Sequence, residues 1–266
     1  MCAAYAHVVI GLDCQDDQTA LASLAEALAV DVEELRASVL AYDESRFADS
    51  SEDPYVRLPR ELLEGLGRDA ETISLDSAFY FHGTRVPDPD SFYRDGILPL
   101  DDVIGRVWAA LFELVRDERS TEDWAEFRGE VERDAGGHDG FLYRLKTGDR
   151  LHFGPYGVLV RETLLGPSAT SSHDYLGCPE IVQDIARCYQ SAYGVDLEAR
   201  FCAASRPVIV KFQSTDVWAG ALPTALWFVF AKLRHDELTL NARGGFDGEG
   251  RAVPPEDVVD VETVER

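Results

Sequence analysis

The chain has 266 residues, 45% of them hydrophobic, enough to bury a proper core as one large domain or a domain with an extension. Its 49 acidic against 25 basic residues leave a formal charge of -24. Such a surface repels phosphate backbones and anionic lipid, which argues against tight non-specific nucleic-acid or membrane binding and leaves room only for a local basic pocket.

The opening run MCAAYAHVVIGLDCQDDQ has no basic leader and falls short of the roughly 18 apolar residues of a membrane span, so a cytoplasmic chain is expected. The five cysteines, Cys2, Cys14, Cys178, Cys188 and Cys202, form no CxxC pair. They suit a reducing compartment and roles as small core residues. A single Met amid many Ala, Arg, Asp, Glu and Val fits a high-GC bacterial genome.

Residues 19–43 carry Leu and Ala at helical spacing, interrupted at Val30-Asp31-Val32, where Asp31 can cap a second helix. Two short helices with a tight turn resemble a DNA-binding helix-turn-helix, but acids greatly outnumber arginines from residue 13 to 53. A helical hairpin on the main domain is the better reading, followed by a polar linker at 43–55 and a short helix at 59–67. Residues 1–70 are therefore expected to form an N-terminal helical extension, and 71–266 a second domain.

The strand SAFYF (77–81) leads into His82-Gly83-Thr84-Arg85, and a proline-containing loop (86–96) precedes a long amphipathic helix at 97–118. An acidic helix over 120–135 ends near a double glycine. Strands are then expected at 141–145, 156–165, 206–213, 237–241 and 257–264, with helices at 179–193 and 222–234, the latter apolar enough in its middle to read as a strand. Helices and strands mix without a βαβ rhythm, so the fold class is α+β.

GxGxxG, Walker, HExxH and GxSxG motifs are all absent. The six histidines have no metal-ligand spacing on one helix, so no metal site is expected. The polar features lie instead where strands are expected to end: His82-Gly83-Thr84, Tyr156-Gly157 and His235-Asp236-Glu237. A glycine there lets a ligand approach the backbone closely.

The order FHGTR, then YGVLV, then an amphipathic helix with Ala-x-x-Tyr, then a late Glu, resembles the ADP-ribosyltransferase fold in its His-Tyr-Glu branch, the PARP and diphtheria-toxin-like one. AVPPEDVVDVETV (252–264) looks like that fold's last strand, and the resemblance spans roughly residues 77 to 266. It implies a split β-sheet core that cleaves the nicotinamide–ribose bond of NAD. An oxocarbenium-like sugar forms there, as in glycoside hydrolysis.

By the same resemblance, His82 would bond a hydroxyl of the adenosine ribose. The Gly83 backbone would pair with the carboxamide, Thr84 would support that turn, and Arg85 could reach the pyrophosphate. Tyr156, or else Tyr189, would stack on nicotinamide. Glu237 is the expected catalytic carboxylate, with Asp236, Glu249, Glu256 and Glu262 as competitors. Positions 82 and 237 are accordingly expected to share one cleft.

Arg161 and Glu162 stand where the family often has Ser or Thr, and the acidic helix at 120–135 is an insertion that could cover the site or recognise a target. The expected activity is transfer of ADP-ribose to a protein or small-molecule acceptor, or to water, in a toxin or defence role. The alternatives are a tRNA 2′-phosphotransferase, which would need several converging arginines, and a catalytically silent, acidic protein-binding module.

Overall fold

The computed structural model describes residues 11–48, 51–133, 137–149, 152–165, 173–242 and 244–265. Helix and sheet are mixed, as the α+β reading requires. Among the described residues, six strands make one open, mainly antiparallel sheet: β1 (Gly11–Leu12), β2 (Ser77–Val86), β3 (Tyr156–Val158), β4 (Arg206–Ser214), β5 (Gly245–Asp247) and β6 (Val258–Thr263). They run in the order β5-β3-β2-β4-β6, and β1 lies parallel to β2. Among the described residues no helix is long and apolar enough to cross a membrane.

The chain divides into two compact units. The first comprises residues 1–81, 158–172 and 213–246. Three of its helices begin where short acidic side chains satisfy the free amides of a first turn. Asp16 caps α1 (Asp17–Leu28) by accepting from Thr19 N at 2.7 Å, and Asp31 caps α2 (Val32–Ala41) by accepting from Glu33 N at 2.8 Å. The break read at Val30-Asp31-Val32 is therefore real. A one-turn helix, α3 (Ser45–Ala48), falls in the segment read as a linker. Asp53 then caps α4 (Pro54–Gly65), which has Pro54 in its first turn.

All three longer helices pack on α11 (Ala221–Arg234), whose residues from Thr224 to Ala231 are buried. A helix apolar on every side needs partners on every side. That requirement makes this segment a helix and not a strand, and it draws residues 11–65 into a shared core. Tyr42, Phe47, Trp227 and Phe230 interlock their rings there, and Tyr55 ties in through its hydroxyl, 2.9 Å from Thr224 Oγ1.

The second unit comprises residues 82–157, 173–212 and 247–266. Its core is built by α6 (Leu100–Glu113), α7 (Thr121–Arg133), α8 (Gly137–Gly148), α9 (Glu180–Tyr193) and α10 (Leu197–Ala204), around Trp108, Trp124, Phe127, Tyr143, Ile185 and Tyr189. Trp108 Nε1 donates to the Tyr143 hydroxyl at 3.0 Å. That contact belongs to a helix: residues 141–145, read as a strand from their apolar run, lie inside α8. There Tyr143 faces the core while Phe141 and Leu145 are exposed. The prolyl loop contains one short helix, α5 (Ser91–Asp95), closed by Gly96 with φ 74°. β4 and β6 pair antiparallel with Val210 opposite Val261, matching the expected strands.

Two further strand expectations fail. Residues 156–165 form a strand only at Tyr156–Val158, because past Val160 the chain winds into a 3₁₀ turn at Arg161–Leu164. Thr163 Oγ1 donates to the Val160 carbonyl at 2.7 Å in that turn. Residues 237–241 pair with no strand: His235 ends α11 in the left-handed region at φ 61°, and the chain then turns into a 3₁₀ segment at Leu240–Ala242.

Candidate functional site

His82, Gly83, Thr84 and Arg85 do not end a strand, as their sequence context suggests. β2 continues through them to Val86, because Phe81 faces Val158 across an antiparallel ladder and the pairing holds the chain extended. Alternation along β2 then sends His82 and Thr84 to one face, Gly83 and Arg85 to the other.

The ladder also brings His82 to Tyr156, 74 residues away: His82 Nδ1 lies 2.7 Å from the Tyr156 carbonyl oxygen. A carbonyl can only accept, so Nδ1 carries the proton and the neutral ring keeps its Nε2 lone pair as an acceptor. Burial lowers the pKa of His82, the bond to the Tyr156 carbonyl acting in the opposite sense. The imidazole is therefore neutral at pH 7. Its ring meets Phe92 edge-on, with centroids 6.4 Å apart.

The side chain of Tyr156 is 46% exposed, and burial together with nearby Asp247 raises its pKa, so the phenol stays protonated. Its ring borders a cleft of about 500 Å³, within the usual range for small-molecule sites. The rest of the wall comes from α8, α9 and the segments preceding β3 and α9. Leu142 and Leu145 are apolar; Lys146, His173, Glu180 and Asp184 are polar. Asp184 is 2% exposed and accepts from Lys146 Nζ at 2.7 Å. Burial raises its pKa and the lysine opposes the shift.

Two sequence candidates have other duties. Tyr189 is fully buried, packed against Trp124, Phe127 and Tyr193, and its hydroxyl accepts from Arg119 Nε at 3.3 Å. No ring face is left there for a nicotinamide, whereas Tyr156 lines the cleft. Arg85 donates to Ser205 Oγ at 3.1 Å, to the Leu176 carbonyl at 3.1 Å, and to the carbonyls of Cys202 and Ser205 at 2.8 and 3.3 Å. All three guanidinium nitrogens bind protein, which leaves no fork for a pyrophosphate.

Glu237 belongs to the first unit, whereas His82 and Tyr156 belong to the second. It is exposed, in the irregular stretch after α11, and among the described residues nothing holds its carboxylate. Of its competitors, Asp236 is also exposed, Glu249 lies in a turn at φ 52°, Glu256 in a 3₁₀ segment, and Glu262 opposite Ile209 on β6.

The cleft residues Lys146, His173, Glu180, Asp184 and Arg187 were not singled out from sequence. A signal existed: Glu180, Gln183, Asp184 and Arg187 recur at helical spacing as a polar stripe opposite the apolar face of the helix. Among the described residues no group of three His, Cys, Asp or Glu is placed to hold a metal. Comparison of the chain with protein families, curated proteins and solved structures finds no match in any of the three.

Proposed function

We propose that this protein is an enzyme of the ADP-ribosyltransferase fold, which cleaves the nicotinamide–ribose bond of NAD and passes ADP-ribose to a protein, a small molecule or water. The observation that carries the reading is the junction of His82 and Tyr156 at 2.7 Å beside the cleft. The FHGTR and YGVLV segments, distant in sequence, are neighbours there through the Tyr156 main chain, which supports the reading.

The residues would act as follows. Neutral His82 accepts a ribose hydroxyl at Nε2 and leaves the sugar's charge unopposed by a second cation. The Tyr156 ring stacks on the pyridinium while it is cationic and loses that attraction once nicotinamide leaves neutral, so it grips the substrate more than the product. Gly83, buried and without a side chain, leaves room for the carboxamide to reach the strand, and Thr84 shares the His82 face. A carboxylate stabilises the ribosyl cation, and Glu237 holds that role in the family pattern. The phosphotransferase alternative gains nothing from Arg85, whose guanidinium is already engaged.

The test is nicotinamide release from NAD by the purified chain, compared with His82→Ala, Tyr156→Ala and Glu237→Gln. Release by the wild type that falls about 100-fold or more in Glu237→Gln is expected. A wild type that releases none with any acceptor overturns the proposal, and full activity in Glu237→Gln moves the carboxylate elsewhere.

A further inference from the structure

We propose that Cys202 is a modification site for low-molecular-weight disulfides, and that Cys178 resolves the adduct into a reversible Cys178–Cys202 disulfide. The inference is independent of the NAD reading.

Two segments of the second unit bring these thiols together. Cys178 ends the turn that leads into α9, its amide donating to the Asp174 carbonyl at 3.2 Å, and Cys202 lies on α10. The Arg85 guanidinium binds both segments at once, taking the Leu176 carbonyl at 3.1 Å and the Cys202 carbonyl at 2.8 Å. The Cys202 thiol donates to the Gly177 carbonyl at 3.4 Å, which sets its sulfur against the residue preceding Cys178. The two thiols then interact directly, side chain to side chain. Disulfide formation needs such proximity, because a sulfur–sulfur bond spans only about 2 Å.

The two sulfurs differ in access. Cys178 is 2% exposed, whereas Cys202 is partly exposed. Burial raises the pKa of Cys178, and Cys202 and Glu198 add to the shift, so this thiol stays protonated. A reagent arriving from solvent therefore meets Cys202 first. Cys14 and Cys188 are both buried, and burial pushes their pKa values up as well, which suits inert core residues.

The Cys202 thiolate attacks one sulfur of a disulfide RS–SR, that bond breaks, and RS⁻ leaves. Cys178 then gives its proton to water and attacks the Cys202 sulfur, expelling the second RS⁻. The released thiolates take up the two protons that the cysteines lose. The small disulfide is thus reduced to two RSH as the pair is oxidised. The new bond closes a loop of about 25 residues that contains the whole of α9, whose Glu180, Gln183, Asp184 and Arg187 line the Tyr156 cleft. It pins the start of that cleft wall to α10.

The experiment incubates the full chain with oxidised glutathione, alkylates the remaining thiols and maps linked peptides by mass spectrometry, for wild type, Cys178→Ala and Cys202→Ala. Circular-dichroism melting of the reduced proteins confirms that each variant folds. Wild type is expected to give the Cys178–Cys202 link, with two hydrogens lost, and to return to free thiols under dithiothreitol. Cys178→Ala should accumulate glutathione on Cys202, and Cys178 in Cys202→Ala should be modified at least about 10-fold more slowly. A time course on wild type reads the same order without any substitution: glutathione on Cys202 first, the internal link afterwards. A wild type in which Cys202 stays free, or keeps its glutathione with no link to Cys178, overturns the proposal. Equal modification rates at the two cysteines in the single variants overturn Cys202 as the point of entry.

Discussion

Replacing Arg85 by Ala separates a structural arginine from a ligand-reading one. The guanidinium donates four hydrogen bonds, to Leu176, Cys202 and twice to Ser205, and three of these acceptors are backbone carbonyls. Leu176 is fully buried and Ser205 is 7% exposed, so water cannot easily replace the lost donors. A hydrogen bond from a charged donor contributes about 1.5–3 kcal/mol, but bonds sharing one side chain are not additive. The expected loss is about 3–5 kcal/mol, a large part of the 5–15 kcal/mol typical of a folded protein. At about 2–4 °C per kcal/mol for a chain of this size, melting should fall by about 10 °C. Arg85→Lys should recover less than half, because an ammonium on a single stem cannot span the fork. Circular-dichroism melting reads the effect, alongside NAD titration. An Arg85→Ala variant that melts within about 2 °C of wild type yet loses NAD binding would refute the reasoning and restore the pyrophosphate role.

Two further outcomes follow from the same structure. Burial holds His82 below the ordinary imidazole value of about 6.5, so the unfolded chain takes up its proton first. Its stabilising effect is complete above about pH 6.5 and is lost as pH falls towards the folded value. His82→Asn, which keeps a donor for the Tyr156 carbonyl and does not titrate, should flatten the fall in urea midpoint between about pH 6.5 and 5. Parallel slopes in the two proteins would count against a neutral imidazole in the folded chain. Gly96 adopts φ 74° and ψ -161°, and a Cβ there would collide with the Val253 carbonyl. Gly96→Ala should therefore cost about 3 kcal/mol or more in urea unfolding, and a variant as stable as wild type would contradict that backbone geometry.

Much of the helical framework was legible in the residues. Asp31 announces a helix start because a short acid beside free amides acts within one turn, whereas Asp53 caps a helix that begins inside the stretch read as a linker. The hydrophobic stripes of α9 and the β-branched run of β6 likewise carry their structure locally. The segments of His82 and Tyr156, both singled out in the sequence, lie side by side, with His82 Nδ1 2.7 Å from the Tyr156 main-chain carbonyl.

What failed shares one cause. The apolar run at 141–145 fits helix or strand, and Trp108, 35 residues away, selects the helix by bonding Tyr143. The β-branched residues after Tyr156 favour a strand, yet a strand persists only where a neighbour offers amides and carbonyls. Arg85 reads as a phosphate ligand until the carbonyls of Leu176 and Cys202 are placed around it. Caps and periodicity depend on residues a few positions apart, so the chain dictates them directly. Hydrogen-bond partners for an extended segment, a guanidinium or a cleft carboxylate come from distant parts of the chain, and only the folded protein decides which groups those are.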